Sequence, residues 1–206
     1  RFYSKRIILM LKVGLTGGIG SGKTTVSKVF ADKNFKIFNS DDIAKNIIKT
    51  DIEIKKSIIN FFGSKSFNGS DFNSIYISEV IFNDPKKLDL LNSIVHPKVF
   101  EKFKKFVKKN LKSKILVESA ILFESNFYKL MDYNILLKSP KIERINRIIN
   151  RKNLSRKKIE KIMNVQWSDK KKINLATFVI ENTNISKTKT EILSLINKIE
   201  SLSEKK

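Results

Sequence analysis

The 206-residue chain contains no cysteine, so disulfides and thiolate metal centres are excluded and a reducing cytoplasm is the expected home. No apolar run approaches the ~20 residues that a membrane span requires, so no membrane partner is expected. His96 is the single histidine, and with no predicted base partner it reads as structural before it reads as chemical. Acidic residues are scarce, 20 against 42 Lys and Arg, which leaves a formal net charge of +22. That charge alone would suggest a polyanion partner. The excess, however, is mostly lysine spread along the whole chain among Ile and Asn, as an AT-rich coding sequence produces. Lys104-Lys105, Lys108-Lys109 and Lys170-Lys171-Lys172 read as solvated helix faces. No nucleic-acid partner is therefore expected, and Trp167 and the many Phe read as core and pocket walls rather than a stacking platform. No internal repeat is present.

The length fits one domain with an insertion, long enough for a real core. Residues 1–9 are expected to be an upstream extension, with Met10 as the biological start. Arg1-Phe2-Tyr3-Ser4-Lys5-Arg6 before an apolar run faintly resembles a targeting peptide, but no small-residue cleavage site separates it from the first strand.

What is present is more informative. Residues Gly17 to Thr24 match G-x-x-x-x-G-K-[ST], between an apolar strand (Val13-Gly14-Leu15-Thr16) and a segment with helical spacing. Glycines let the backbone point successive N–H groups at an anion, and the helix opening there adds its positive dipole end. Lys23 is then placed for the β- and γ-phosphates and the Thr24 hydroxyl for Mg²⁺. Gly18, Gly20, Ser21, Gly22, Lys23, Thr24 and Thr25 form the expected nucleotide site, with ATP and Mg²⁺ as ligands. Further short apolar runs at Phe35–Phe38, Lys114–Val117, Tyr133–Leu137 and Thr177–Ile180 alternate with helical segments, the pattern of an α/β fold with a parallel sheet covered on both faces.

Two stretches fall outside that core. Residues 41–110 are nearly all helical by periodicity, broken only around Gly63–Ser70, and form a substrate-side insertion. Residues 139–172 are helical and basic, starting at Ser139 as N-cap with Pro140 in the first turn. Arg144, Arg147 and Arg151 fall within about 60° on a helix wheel, opposite Ile142, Ile145, Ile148 and Ile149, as a phosphate-covering lid requires. Arg144, near the helix start, is expected to stay solvated. The remaining segments, 10–40, 111–138 and 173–206, make the nucleotide-binding core. The last of them closes with an amphipathic helix carrying Ile192, Leu195, Ile196 and Ile199.

Asp41 and Asp42 follow the second strand, at the sheet edge where ligands bind in open α/β folds. Asp41 is placed to take a proton from an acceptor hydroxyl, whereas Asp42 reads as a helix cap. Glu118 ends a central strand and reads equally as a water-mediated Mg²⁺ contact or as a hydrogen-bond partner of the loop.

These residues resemble the dephospho-CoA kinase family. The resemblance runs through Leu15–Thr24, Asn39-Ser40-Asp41-Asp42-Ile43-Ala44-Lys45, Phe62-Gly63, Val80-Ile81-Phe82 with Asp84-Pro85, and Leu91–Pro97. It continues through Glu118–Glu124, Arg147, Arg151, Gln166 and Val179-Ile180-Glu181-Asn182, in order over nearly the whole chain. It implies a P-loop nucleoside-kinase-like fold with a five-stranded parallel sheet, a helical acceptor insertion and a lid. It also implies ATP-dependent phosphorylation of the 3′-hydroxyl of dephospho-CoA by a monomer or weak homo-oligomer. Asp41, Lys23 and Arg147 would be catalytic, Arg147, Arg151 and Asn182 would contact the nucleotide, and His96, Phe82, Glu118 and Phe123 the acceptor. His96-Pro97 would shape a helix junction lining that pocket. Three positions depart from the family pattern: Asn39 for an Asp, Ala120 for a Pro, and Ser74 where an Asp-Arg pair is common. The alternatives are another small-molecule kinase, disfavoured by the His96-Pro97 and Leu122-Phe123-Glu124 segments, and a nucleic-acid-binding ATPase. A regulatory GTPase has only Asn197-Lys198-Ile199-Glu200 in its favour, inside the closing helix.

Overall fold

The computed structural model describes residues 10–152 and 155–204; the side chains of Pro85, Arg151 and Lys152 also lie outside the description. The expected extension at 1–9 therefore falls outside the described residues. In chain order the elements begin β1 (Leu11–Thr16), α1 (Lys23–Asp32), β2 (Phe35–Asn39), α2 (Ser40–Thr50) and α3 (Ile52–Phe62). A short hairpin, β3 (Phe67–Asn68) and β4 (Asp71–Phe72), leads to α4 (Ser74–Asn83) and α5 (Pro85–Lys109). Then come β5 (Lys114–Glu118), β6 (Tyr133–Lys138), α6 (Lys141–Lys152), α7 (Arg156–Val165), α8 (Asp169–Ile173), β7 (Phe178–Glu181) and α9 (Ile185–Ser203).

Five strands form one sheet in the order β2-β5-β1-β6-β7, every pair parallel. All five are the apolar runs read from the sequence, because strands buried on both faces need continuous rather than alternating hydrophobicity. The period of two still shows in where the side chains go. Leu116 of β5 joins the layer of α1 and α9, while its neighbours Ile115 and Val117 join the layer of α2 to α5. Of the closing helix, Ile192, Leu195, Ile196 and Ile199 are buried; each such side chain contributes about 1.5–3 kcal/mol of transfer free energy. A third, small cluster holds Ile145, Ile148, Ile159 and Met163 between α6 and α7, with Ile19 of the loop against it.

The expected break at Gly63–Ser70 is present and carries the hairpin, whose pairing Phe67↔Phe72 is turned by Gly69 at φ +62°. Three local expectations are corrected. Helix α5 runs unbroken through Pro97 for 25 residues, so His96-Pro97 makes no junction. Asp42 does not cap α2; Asn39 does, its side chain accepting from the Asp42 N–H at 3.1 Å. Of the isoleucines expected beneath the arginine row, Ile145 and Ile148 are buried but Ile142 and Ile149 are exposed.

Candidate active site

The loop after β1 is held open by its glycines and tied from behind. Gly20 (φ +81°) and Gly22 (φ +98°) adopt left-handed backbone that side-chain-bearing residues rarely take. A Cβ on Gly20 would meet the Arg144 carbonyl at 2.7 Å, and one on Gly22 would strike Asn182. Asn182, 3 % exposed, donates to the Ser21 carbonyl at 2.8 Å and accepts from Thr188 at 3.0 Å. It is thus a brace behind the loop rather than a group on its ligand face. Ser21 is likewise fully buried.

Lys23 opens α1 and donates to the Gly17 carbonyl at 2.9 Å. Burial lowers its pKa below the ordinary lysine value; the carboxylates of Asp41 and Glu118 oppose that shift, and Lys172 and Arg144 reinforce it. Glu118, 5 % exposed at the end of β5, accepts from the Thr24 hydroxyl at 3.0 Å and the Ser27 hydroxyl at 2.7 Å. Because the Thr24 proton is spent on Glu118, its oxygen lone pairs are left for a cation. Thr24 and Thr25 are exposed. Among the described residues no group of three His, Cys, Asp or Glu gathers in a metal cage. The Thr24 hydroxyl and the adjacent Glu118 nonetheless fit Mg²⁺, which favours hard oxygens and binds through one or two carboxylates plus phosphates and water.

Asp41 lies in the first turn of α2, and both its oxygens accept from the Ala120 N–H, at 3.3 and 3.2 Å. It lines a cavity of about 40 Å³ with His96, Phe100, Ser119 and Phe127. Burial depresses the His96 pKa and the Asp41 charge partly restores it, so these two groups sense each other although they are not hydrogen-bonded.

The basic segment contributes differently from the expectation. Arg144 is not solvated: its side chain is 13 % exposed, its Nη1 lies 3.9 Å from Asp169, and its guanidinium covers Gly18. Arg147 instead donates to Ser139 Oγ and the Asn182 carbonyl, both at 2.9 Å, to Glu143 at 2.8 Å, and to the Gly20 carbonyl at 3.5 Å. It fastens α6 to β7 and the loop. Ser139 Oγ donates to the Asn182 carbonyl at 2.8 Å rather than capping α6. The Arg151 side chain lies outside the described residues. Gln166 accepts from the Ile19 N–H at 3.0 Å, a second strap on the loop. Lys172, read as part of a solvated face, is fully buried, whereas Lys171 stacks over the Trp167 ring at 3.3 Å.

Phe82, 46 % exposed, lies under Lys161 (4.4 Å to the ring centre). It lines a cavity of about 430 Å³ between α4 and α7 that also receives Leu88, Ile121, Lys157 and Lys158. Phe123 is not on a wall of either cavity: it is 1 % exposed, edge-on to Tyr128. The enclosure of Arg144 against Gly18 and the burial of Lys172 were missed by the sequence reading.

A family model described as dephospho-CoA kinase matches residues 11–187. The chain belongs to the dephospho-CoA kinase family. A dephospho-CoA kinase of Fusobacterium nucleatum is 38 % identical over 171 residues, covering 82 % of this chain and 88 % of that one. A solved dephospho-CoA kinase from Campylobacter jejuni superposes with a TM-score of 0.64 at 25 % identity, over 93 % of this chain and 98 % of the other. A Thermus thermophilus structure shares the fold, with a TM-score of 0.79 at 24 % identity over 92 % and 97 % of the two chains. The family's five-stranded P-loop kinase architecture is the one described above. Among the described residues no helix is long and apolar enough to cross a membrane.

Proposed function

We infer that this chain transfers the γ-phosphoryl group of ATP to the 3′-hydroxyl of dephospho-CoA, giving coenzyme A and ADP, the last step of coenzyme A biosynthesis. Beyond family membership, one juxtaposition carries the reading. A complete phosphate loop follows β1, and Asp41 stands just past β2, close enough for its charge to oppose the lowering of the Lys23 pKa by burial. In this reading residues 10–40, 111–138 and 173–206 bind nucleotide, 41–110 bind the acceptor and 139–172 cover the phosphates.

Loop N–H groups and Lys23 hold the triphosphate. Asp41 orients the acceptor hydroxyl and takes its proton as the oxygen attacks the γ-phosphorus, and the bond from that phosphorus to the ADP oxygen breaks. Such a transfer depends on positioning and electrostatics, with little covalent work for the protein. Thr24 and, through water, Glu118 would hold Mg²⁺, which when bound neutralises charge on the outer phosphates. Arg144, its guanidinium over Gly18, is the lid group we assign to the phosphates, and Arg147 fastens the lid helix. Phe82 and the lysines of the 430 Å³ cavity take the rest of the acceptor, apolar arm against the ring and phosphates against the ammonium groups.

The test is acceptor dependence: ADP release from ATP measured alone, with dephospho-CoA, and with AMP. ADP release with dephospho-CoA alone supports the reading, and equal rates with AMP overturn it in favour of a nucleoside monophosphate kinase.

A further inference from the structure

Burying a lysine ammonium costs several kcal/mol unless it is paired and hydrogen-bonded, and Lys172 is fully buried. Its Nζ pairs with Glu124 Oε1 at 2.9 Å and donates to the Ala120 carbonyl at 3.1 Å. Glu124 Oε1 also accepts from the Trp167 N–H at 3.1 Å, so α8 and the turn before it are bound to the segment that follows β5. An apolar side chain would fill that space at less cost, which makes the ammonium's target informative. That target is the residue whose N–H holds Asp41.

Ala120 is gripped from both sides. Its carbonyl takes the Lys172 ammonium, and its N–H donates to both oxygens of Asp41 at 3.3 and 3.2 Å. Among the described residues this N–H is the one hydrogen-bond donor to the Asp41 carboxylate. The bonds are long and shared, so a small shift of Ala120 redirects the carboxylate. We propose that Lys172 is a positioning residue, which holds Ala120 in place and through it aims Asp41 at the acceptor hydroxyl. The inference rests on the phosphotransfer reading above. It also supplies a route from the basic segment to the base: Arg144 lies by Asp169 of α8, the same short helix that carries Lys172.

The alternative is that Lys172 and Glu124 are a staple without consequence for Asp41, and a double-mutant cycle separates the two. Lys172→Met with Glu124→Gln removes both buried charges together, so neither is stranded. The proposal expects kcat to fall about 10- to 100-fold, the scale of a sub-ångström to ångström misplacement, with the KM for ATP changed less than about threefold. Lys172→Arg, which can still reach the Ala120 carbonyl, should recover most of the rate. In an Asp41→Asn background the same pair of changes should lower the residual kcat less than about twofold, because the aimed group is already disabled. An equal fall in both backgrounds, or an unchanged kcat, overturns the proposal. Should that pair melt the fold, Lys172→Leu with Glu124→Gln carries the same cycle under the same criterion, since it too strands no buried charge and leaves Ala120 without its ammonium. Failure of the unmodified chain to phosphorylate dephospho-CoA would overturn both readings, whereas turnover with an additive cycle overturns this one alone.

Discussion

Glu118→Gln isolates the electrostatics of the phosphate site. Glu118 takes two hydroxyl donors, from Thr24 at 3.0 Å and Ser27 at 2.7 Å, in a position 5 % exposed. A carboxylate accepts both, while an amide offers one oxygen and turns its NH₂ toward the other hydroxyl, which must rotate to accept. Replacing charge-assisted bonds of about 1.5–3 kcal/mol by neutral ones of about 0.5–1.5 loses about 2 kcal/mol in all. For a chain of this size that is a fall of about 4–8 °C in Tm. The same change acts on Lys23. Burial lowers its pKa and Glu118 opposes that lowering, so removing the carboxylate drives the Lys23 pKa further down. Since kcat/KM for ATP reports the free enzyme and needs the ammonium, its alkaline limb should move to lower pH in Glu118→Gln. Linkage adds a second signature. Between its lowered native pKa and its ordinary value Lys23 binds fewer protons folded than unfolded, so its contribution to stability rises with pH across that window. The variant widens the window downward. A pH profile and a melting series on both proteins make the assay. A limb that stays in place or moves upward would refute the assigned coupling of Glu118 to Lys23.

Asp41→Asn should leave ATP binding near the unmodified level and lower kcat about 10²- to 10⁴-fold, as loss of a general base does; a fall appearing in Asp42→Asn instead would show the wrong carboxylate was chosen. Arg144→Lys should lower kcat more than Arg147→Lys, because a guanidinium meets phosphate oxygens in pairs where an ammonium does not. Arg147→Lys should chiefly lower Tm by breaking the tie between α6 and Asn182, and the reverse pattern would restore Arg147 to the phosphates. Gly20→Ala should weaken ATP binding and cost about 1–3 kcal/mol of stability, since it sets a Cβ at positive φ against the Arg144 carbonyl; a neutral calorimetric result would contradict the loop geometry.

The parallel sheet and the phosphate loop were legible in the sequence because each is a local signal: an apolar run buried on both faces, and a fixed spacing of glycines with Lys23. The position of Asp41 was legible because it closely follows β2. The allocation of the lid arginines was not. A helix wheel groups Arg144, Arg147 and Arg151 but leaves open which of them faces the loop, and that depends on how α6 descends from β6 onto Gly18 and Gly20. Lys172 was misread for a related reason. Three consecutive lysines look solvated, and the partner that makes one buried, Glu124, lies far away in sequence. Phe123 was placed on a pocket wall by resemblance, although the turn after β5 directs its ring inward to Tyr128. Pro97 was read as a break, yet α5 carries it within a helix packed against α2, α3 and α4, where tertiary contacts outweigh one lost hydrogen bond.

The central claim is the transfer itself, and identification of its product tests it most directly. Purified chain, ATP with Mg²⁺ and dephospho-CoA should yield ADP and coenzyme A one for one. The phosphate is expected on the ribose 3′-oxygen by phosphorus NMR and mass, and the Lys23→Ala protein is expected to form neither product. ADP released without coenzyme A, or a phosphate on any other oxygen, would contradict the account.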